Sequence, residues 1–348
     1  MINEKKETTR KEKDNAEGSE KQGKKRHFSY KWIDLRDEYK EEKDIAFLPP
    51  ILCNVPVLTT TYQSRDGALI PVYVVRPSTA LTPTPGIVHV HGGPQTRDQW
   101  DQSSLNDARY FALLGYTSVF PQYRGSQGFG EEHFRGGYRK HMTTVPEDVV
   151  DAALWAEKQG YINGGKTVVM GKSYGAFITP IILAYKKEFP FAGGITFAGF
   201  YDVEKSLRND YGEVSTDLVS EALGWGNWKN AADRQEMHET SPVNFASSIH
   251  QPLLLMHGVR DDACSYQQAQ LMSNALKRAK TPHAFIRLKK EGHTMGHETH
   301  PFYLALIERF LHKVLGGNFE PLSSQEKKSK SKIISIVRDT TGFFKEFK

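Results

Sequence analysis

Cysteine is scarce in this sequence, and long apolar runs are absent. Two cysteines, Cys53 and Cys264, occur among 348 residues, which is too few for a disulfide framework and favours a reducing compartment. No apolar stretch approaches the roughly 18 residues that a membrane-spanning helix requires. Met1 leads into charged residues without the apolar core of a secretory signal. These absences predict a cytoplasmic globular protein.

An excess of one charge is also lacking in the central part of the chain. The formal net charge is +5, but residues 1–26 hold nine basic and six acidic side chains, and residues 321–348 hold seven and three. Residues 27–320 therefore carry a net charge of −2. A near-neutral domain excludes a broad basic surface, so we expect no nucleic-acid partner.

Composition divides the chain into four parts. Residues 1–26 are nearly all charged or small, which predicts a disordered tail. Residues 27–56 contain aromatic side chains that we expect to dock on the globular domain predicted for residues 57–317. Residues 318–348 form a basic C-terminal tail.

Within the predicted domain, a β-hairpin around Arg65-Asp66-Gly67 is followed by alternating strands and helices. This order is typical of a doubly wound, mostly parallel sheet of about eight strands with helices on both faces. In such a sheet the active site lies at the carboxyl ends of the strands. The predicted strands are 57–64, 68–76, 86–91, 117–122, 167–171, 193–198, 252–257 and 283–288, and the predicted helices are 105–114, 147–158, 174–186, 265–280 and 299–315.

Residues 200–251 interrupt the alternation of strands and helices. The segment is long and places Trp225 and Trp228 among glycines, which predicts a helical cap or pocket insertion. Two interpretations of the tryptophans are equally open. They line an apolar substrate pocket, or they anchor the insertion on the domain.

One segment matches a nucleotide-binding motif without its structural context. Residues 160–167 have the spacing of a phosphate-binding loop, which must leave a strand and open a helix so that backbone N–H groups surround a phosphate. Here a predicted helix precedes the segment and a predicted strand follows it. We interpret it as a helix-to-strand connection and expect no nucleotide cofactor.

Histidine pairs in the sequence have a spacing that also occurs at metal sites. His89 and His91 face the same side of a strand, and His297 and His300 lie three residues apart. Neither pair has the further partners that complete a zinc site. We expect polar-surface or hydrogen-bonded core histidines, no metal and no cofactor. For Cys264 we expect a buried apolar position rather than a nucleophile.

The strongest chemical signal is a serine between a strand and a helix. Gly171-Lys172-Ser173-Tyr174-Gly175 has the G-x-S-x-G pattern at a predicted strand-to-helix turn, where the sharp turn lifts the hydroxyl above the sheet. The backbone N–H of Tyr174 then points at the reacting carbonyl oxygen, and the helix N-terminus adds a favourable dipole. This context predicts Ser173 as a nucleophile.

A glycine-rich loop is expected to complete the oxyanion hole. His91-Gly92-Gly93-Pro94 follows a predicted strand and matches the loop that supplies a second N–H donor. Gly92 and Gly93 allow the backbone itself to reach the substrate oxygen. A plain turn is the alternative for this segment alone, but the two motifs rarely coincide by chance.

A serine nucleophile needs a base, and the base needs an orienting acid. Asp261 and Asp262 follow the strand predicted after the insertion, and both are candidates for the acid. His293 follows the last predicted strand and is the candidate base. The chain order serine, aspartate, histidine is that of the α/β-hydrolase arrangement.

Together these motifs resemble the catalytic domain of the prolyl oligopeptidase family of serine peptidases, especially its acylaminoacyl-peptidase branch. The resemblance covers residues 57–317 in order and implies the α/β-hydrolase fold. It favours Asp261 over Asp262, because residues 257–261 are similar to the family's HGxxD motif. The other matching segments are HGGP at 91–94, YRGSQGFG at 123–130, EDV at 147–149, GKSYG at 171–175, SP at 241–242 and EGH at 291–293.

The resemblance implies a serine hydrolase and favours a peptidase that cleaves peptide or acyl-peptide bonds through an acyl-enzyme on Ser173. Two alternatives stay open: a carboxylesterase that uses the same three side chains, and a non-catalytic binding protein on the same scaffold. The expected substrate is a peptide or a small acyl compound, without a cofactor or metal.

The sequence departs from the family pattern in several places. Members usually carry a β-propeller before this domain, and the 56 residues before Val57 are too few for one, so we expect an open or self-capped site. The changes at residues 264–265 and 294–295 flank the predicted acid and base, so the geometry of the site could differ there. The full set of changes is as follows. Ala176 replaces a glycine, Gln122 an asparagine, Cys264 and Ser265 apolar and proline residues, and Thr294-Met295 a glycine and a phenylalanine.

The C-terminal tail combines lysines with an apolar stretch. Residues 327–332 contain four lysines, and residues 333–347 contain isoleucine, valine and phenylalanine side chains. Such a segment can bind an anionic membrane surface. We favour the alternative, in which it packs on its own domain or stays disordered.

Overall fold

A computed structural model describes residues 55–99, 103–210, 223–317, 319, 321–322 and 324–347. The predicted tail at 1–26 and nearly all of the predicted docking segment at 27–56 lie outside the described residues. The middle of the insertion, residues 211–222, lies outside them as well.

The strands in the described part of the chain form one sheet. They are β1 (Val57–Gln63), β2 (Leu69–Val75), β3 (Thr84–Val90), β4 (Thr117–Pro121), β5 (Ile162–Lys172), β6 (Gly193–Phe197), β7 (Leu253–Gly258), β8 (His283–Leu288) and β9 (Ile334–Asp339). Their order across the sheet is β1-β2-β4-β3-β5-β6-β7-β8-β9. The six strands from β4 to β8 in this order pair in parallel, and β1, β2 and β9 pair antiparallel with their neighbours.

Helices pack on both faces of the sheet. They are α1 (Ser103–Leu113), α2 (Glu131–Gly136), α3 (Thr144–Lys158), α4 (Tyr174–Tyr185), α5 (Val203–Asp210), α6 (Ala231–Thr240), α7 (Tyr266–Ala279), α8 (His300–Leu315) and α9 (Ser324–Ile333). None of the helices in the described part of the chain is long and apolar enough to cross a bilayer.

The two largest apolar clusters of the described residues lie on opposite faces of the sheet, because successive side chains of a strand point in opposite directions. In β7, Leu253 and Leu255 join the core under α3, α4 and α7. Leu254 and Met256 join the core under α1 and α8. All six residues of β7 are buried, as expected for a central parallel strand covered on both sides. The predicted α/β-hydrolase architecture is confirmed.

Within the described residues the sheet has nine strands rather than about eight, and the additional strand comes from the C-terminal segment. β9 pairs with β8 from Ile334 opposite Leu288 to Asp339 opposite Ala284. Ile333, Phe344 and Phe347 are also buried against the domain. Most apolar side chains of the C-terminal segment therefore pack on this core, and the sheet continues beyond residue 317, the predicted end of the domain.

The segment with phosphate-loop spacing lies in a strand rather than in a connection. β5 begins at Ile162, not at Thr167, and its pairing with β3 is irregular between Thr84 and Gly86. That irregularity accommodates residues 163–166 within the strand. As expected, α3 precedes the segment and a strand follows it, so no helix N-terminus faces it.

The described parts of the insertion are helical. α5 and α6 lie on either side of residues 211–222, and two short 3₁₀ helices, Pro242–Asn244 and Ala246–Ser248, lead towards β7. Asn230 caps α6, because its side-chain oxygen accepts a hydrogen bond from the Ala232 amide.

Candidate active site

Ser173 occupies the sharp turn between β5 and α4. Its φ of 54° and ψ of −118° lie where side-chain-bearing residues are rarely found, which is a form of backbone strain common at active sites. The neighbouring glycines are required by close contacts. A Cβ added to Gly171 would lie 2.1 Å from the Gly175 carbonyl oxygen, and one added to Gly175 would lie 1.9 Å from that of Val90.

The structure brings Ser173, His293 and Asp261 into one hydrogen-bonded chain. His293 Nε2 lies 3.1 Å from Ser173 Oγ, and His293 Nδ1 lies 3.0 Å from each carboxylate oxygen of Asp261. Since Asp261 can only accept, Nδ1–H donates to it, and Nε2 is left to accept the serine proton. This tautomer is the one that a general base requires.

Hydrogen bonds join the loop of Asp261, the predicted acid, to the loop of His293, the predicted base. The Arg260 amide donates to the Glu291 carbonyl oxygen at 2.9 Å. A Cβ on Gly258 would lie 2.4 Å from that same oxygen, so only glycine permits this approach. The Glu291 carboxylate accepts from the Gly296 amide at 2.7 Å and from the Thr299 hydroxyl. These contacts fix the turn that holds His293.

Asp261 is buried and accepts several hydrogen bonds. Burial alone would raise the pKa of Asp261, but hydrogen bonds from His257, His293 and the Cys264 amide outweigh it and hold the pKa well below its usual range. Asp262, the other candidate, is exposed and has no such contacts in the described residues. The geometry therefore favours Asp261 as the partner of His293.

His257 is a member of this cluster that sequence reasoning did not single out. Its Nε2 lies 2.8 Å from the Cys264 carbonyl oxygen and 3.2 Å from Asp261 Oδ2, and both side chains are fully buried. Nε2–H therefore donates between two acceptors. The HGxxD motif contained this residue, but nothing local indicated that the histidine and the aspartate four residues later would meet.

The glycine-rich loop after β3 lies against Ser173, the predicted nucleophile. A Cβ on Gly92 would lie 3.2 Å from Ser173 Cβ, and Gly93 has a φ of +115° that side chains disfavour. Tyr123 donates from its hydroxyl to the His91 carbonyl oxygen at 2.8 Å and stacks on the His91 ring. This packing fixes the position of the loop beside Ser173.

Tyr174 is anchored at its far end by a buried histidine. His141 Nε2 faces the Gly224 carbonyl oxygen at 3.4 Å, so His141 Nδ1 accepts from the Tyr174 hydroxyl at 2.8 Å. Burial lowers the pKa of His141 to about 4, which keeps the ring neutral at pH 7. The contact fixes the residue whose backbone N–H is the predicted first oxyanion donor.

A comparison with models of known protein families identifies the family of this chain. The model of the prolyl oligopeptidase family matches residues 100–318. This chain belongs to the prolyl oligopeptidase family. The match extends from helix α1 to the end of α8 and includes Ser173, Asp261 and His293, the predicted nucleophile, acid and base.

Curated proteins with peptidase and related names are similar to this chain. The chain is 27% identical over 277 residues to dipeptidyl aminopeptidase BIII of Pseudoxanthomonas mexicana, covering 77% of this chain and 40% of that protein. It is 27% identical over 222 residues to acylamino-acid-releasing enzyme 1 of Oryza sativa subsp. japonica, covering 60% and 27%. The chain thus spans less than half the length of these relatives.

Solved structures share the fold at low sequence identity. A puromycin-hydrolyzing peptidase of Mycobacterium tuberculosis superposes with a TM-score of 0.70 at 22% identity, covering 80% of this chain and 42% of that one. An acylaminoacyl peptidase of Pyrococcus horikoshii gives 0.66 at 20% identity, covering 78% and 44%. These likenesses support the α/β-hydrolase fold.

Two departures from the family pattern are accommodated by local packing. Ala176 is buried, and a Cβ on Gly199 would lie 2.7 Å from its methyl group, so Gly199 leaves the space that Ala176 fills. The side-chain amide of Gln122 donates to Asp98 and to the Phe120 carbonyl, and its oxygen accepts from the Asp98 amide at 2.9 Å. Every polar atom of that buried side chain has a partner.

Residues 264–265 and 294–295, where the sequence departs from the family pattern beside the predicted catalytic positions, also lie in the described part of the chain. Cys264 is buried, and its backbone carbonyl and amide contact His257 and Asp261, so the cysteine contributes through its main chain. Met295 packs against the core under α8. The hydrogen bonds of the Ser173–His293–Asp261 chain are formed with both changes present.

The tryptophans of the insertion lie in different environments. Trp225 is fully buried and stacks on His141 with ring centroids 4.1 Å apart, so it presents no surface to a substrate here. Its position fits the anchoring interpretation. Trp228 is partly buried, and the Arg208 guanidinium lies 4.9 Å from its ring centroid.

The histidines considered as metal ligands have other partners. His89 Nε2 bonds to the Ser118 hydroxyl, and burial lowers the pKa of His89 to about 3. His91 Nε2 bonds to the Ser126 hydroxyl, and His300 Nε2 lies 2.8 Å from Asp107. In the part of the chain that the structure describes, no group of three metal-ligating side chains converges.

Proposed function

We propose that this chain is a serine hydrolase, and within that class a peptidase that cleaves peptide or acyl-peptide bonds through an acyl-enzyme on Ser173. The observation that carries the proposal is the continuous hydrogen-bonded chain from Ser173 Oγ through His293 to Asp261. A hydroxyl is a weak nucleophile at neutral pH, and this chain supplies both the base and the charge that activate it.

In the proposed reaction, His293 Nε2 removes the Ser173 proton as Oγ attacks the scissile carbonyl carbon. Asp261 stabilises the imidazolium that forms, while the N–H groups of Tyr174 and of the Gly92-Gly93 loop stabilise the oxyanion. One such donor is typically worth about 3 kcal/mol. His293 then protonates the leaving group, and water, deprotonated by His293, releases the acyl group and restores Ser173.

The preference for peptides over esters rests on the family. The similar proteins named above include a dipeptidyl aminopeptidase and an acylamino-acid-releasing enzyme, and the first of these names describes a peptidase. A carboxylesterase would use the same side chains. Hydrolysis of an ester and an anilide with the same acyl group separates the two: a peptidase cleaves both, whereas an esterase cleaves the ester alone.

The test of the proposed nucleophile is the intact mass of the chain after treatment with a fluorophosphonate. We expect one covalent adduct on the native chain and none on Ser173→Ala. The absence of an adduct on a folded native chain would contradict the proposal and favour the non-catalytic binding protein.

We also propose a cytoplasmic location, supported by the scarcity of cysteine and by the buried free thiol of Cys264. Fractionation of the source cells with an antibody against the chain tests it. Recovery of the protein outside the cytoplasmic fraction would contradict the proposal.

A further inference from the structure

Lys172 precedes the nucleophile and is an exposed cation at the carboxyl end of β5. Its ammonium group lies 5.7 Å from the ring centroid of Phe197 on the neighbouring strand β6. No carboxylate of the described residues lies within ion-pair distance of it. Asp261, the acidic group that acts on Lys172 electrostatically, already accepts hydrogen bonds from two histidines. The lysine is thus available to an anion brought by a substrate.

The sheet order places this cation on one particular side of Ser173. The loop with Gly92 and Gly93 follows β3, on one side of β5, whereas β6, β7 and β8 lie on the other side. His293 follows β8 and must protonate the leaving group, so the leaving group lies towards that side. The Lys172 ammonium lies over β6, on the side of the leaving group.

We propose that Lys172 binds a carboxylate on the leaving group, so that the preferred substrates are short peptides with an anionic group just beyond the scissile bond. Backbone advances about 3.3–3.6 Å per residue, so a lysine side chain reaches an anion one or two residues past that bond. The anion is a free carboxyl terminus or an acidic side chain. This inference rests on the proposed hydrolase function.

The surroundings of Lys172 favour such binding. Burial of part of the side chain lowers the pKa of Lys172, and the charge of Asp261 partly opposes that shift. A cation that has lost part of its hydration gains more from a substrate carboxylate than a fully hydrated one. The aromatic face of Phe197 confines the ammonium to this side of the site.

The test compares two anilides of one acyl group, a 4-nitroanilide and a 3-carboxy-4-nitroanilide, which differ by one carboxylate on the leaving group. In the native chain we measure the ratio of their kcat/KM values, which also contains their intrinsic reactivities. In Lys172→Met this ratio should shift against the carboxylate by about threefold to fivefold, as expected for a partly exposed ion pair. Lys172→Arg should retain the native ratio.

Lys166→Met is the matched control. Lys166 is exposed on the same strand, roughly 20 Å away at its amino end, so its loss removes the same net charge without affecting the site. Raising the salt concentration should reduce the native preference for the carboxylate. An equal ratio in the native chain and Lys172→Met would overturn the inference, as would an equal shift in both methionine variants.

Peptides distinguish the two sources of the carboxylate. A peptide with a free carboxyl terminus is compared with its amide, and an amidated peptide with aspartate after the scissile bond is compared with one carrying asparagine. If the native chain cleaves nothing, the proposed hydrolase function fails. In that case, calorimetry measures the binding of the same peptides to Ser173→Ala and to the double variant Ser173→Ala, Lys172→Met. Weaker binding of the carboxylate-bearing peptides to the double variant would show that Lys172 binds the carboxylate, and equal binding would show that it does not.

Discussion

At the residue scale, Asp261 carries the charge on which the proposed chemistry depends. It is buried, yet five hydrogen-bond contacts reach its two oxygens, from His257, His293 and the amides of Ala263 and Cys264. A buried carboxylate is tolerated only with such compensation. The adjacent Asp262 is exposed, so neighbouring residues of the same type have opposite environments.

Replacement of Asp261 by asparagine should lower kcat/KM by about 10³- to 10⁴-fold, because the amide no longer supplies the charge that stabilises the His293 imidazolium. Asp262→Asn is the matched control and should change kcat/KM less than about twofold. Steady-state kinetics on the best anilide substrate measure both. Similar losses in the two variants would argue against the assignment of Asp261.

At the scale of elements, α1 and α8 are joined by a charged pair. His300 at the start of α8 lies 2.8 Å from Asp107 of α1, with both side chains partly buried. Burial alone would lower the pKa of His300, but the hydrogen bond and the charge of Asp107 outweigh it and hold the pKa above its usual range. The contact holds the start of α8 against α1, and α8 directly follows the loop that carries His293.

This pair predicts how stability depends on pH. A histidine whose pKa is raised on folding stabilises the protein below its unfolded pKa of about 6.5, and that contribution is lost as pH rises through the folded value. A double-mutant cycle with His300→Gln and Asp107→Asn should give a coupling free energy of about 1 kcal/mol at pH 6. Urea unfolding at higher pH should give a smaller coupling free energy. A coupling free energy that increases with pH would contradict a raised pKa of His300.

At the scale of the whole molecule, the chain returns to the sheet after α8. β9 covers the edge that β8 would otherwise expose, and unpaired edges promote aggregation. Phe344 beyond β9 is fully buried, whereas Val337 on β9 is 40% exposed. The C-terminal segment is therefore part of the packed domain.

Phe344→Ala should lower the free energy of unfolding by about 3 kcal/mol, since it removes a large buried side chain from the core under α8. Val337→Ala, at an exposed site nearby, should cost less than about 1 kcal/mol. Urea unfolding followed by tryptophan fluorescence measures both. Equal effects would mean that the segment does not pack on the domain in solution.

Much of the architecture could be predicted from the sequence, because strand and helix signals are local. The continuous apolar strand at residues 167–171 and the turn at Ser173 were readable from the local sequence alone. β9 was not, because basic residues precede it and its partner β8 lies some 50 residues earlier in the chain. Pairing with a distant strand outweighed the local charge of that segment.

Part of the candidate site could likewise be predicted from the sequence, and part could not. Ser173 and His293 lie in short motifs, so the sequence by itself predicted them and determined their order in the chain and the fold that carries them, whereas the choice of Asp261 over Asp262 needed the family resemblance. The contact of His257 with Asp261, the burial of Trp225 and the exposed position of Lys172 were decided by the tertiary structure alone. Each depends on which distant segments approach a side chain, and no local pattern records that approach.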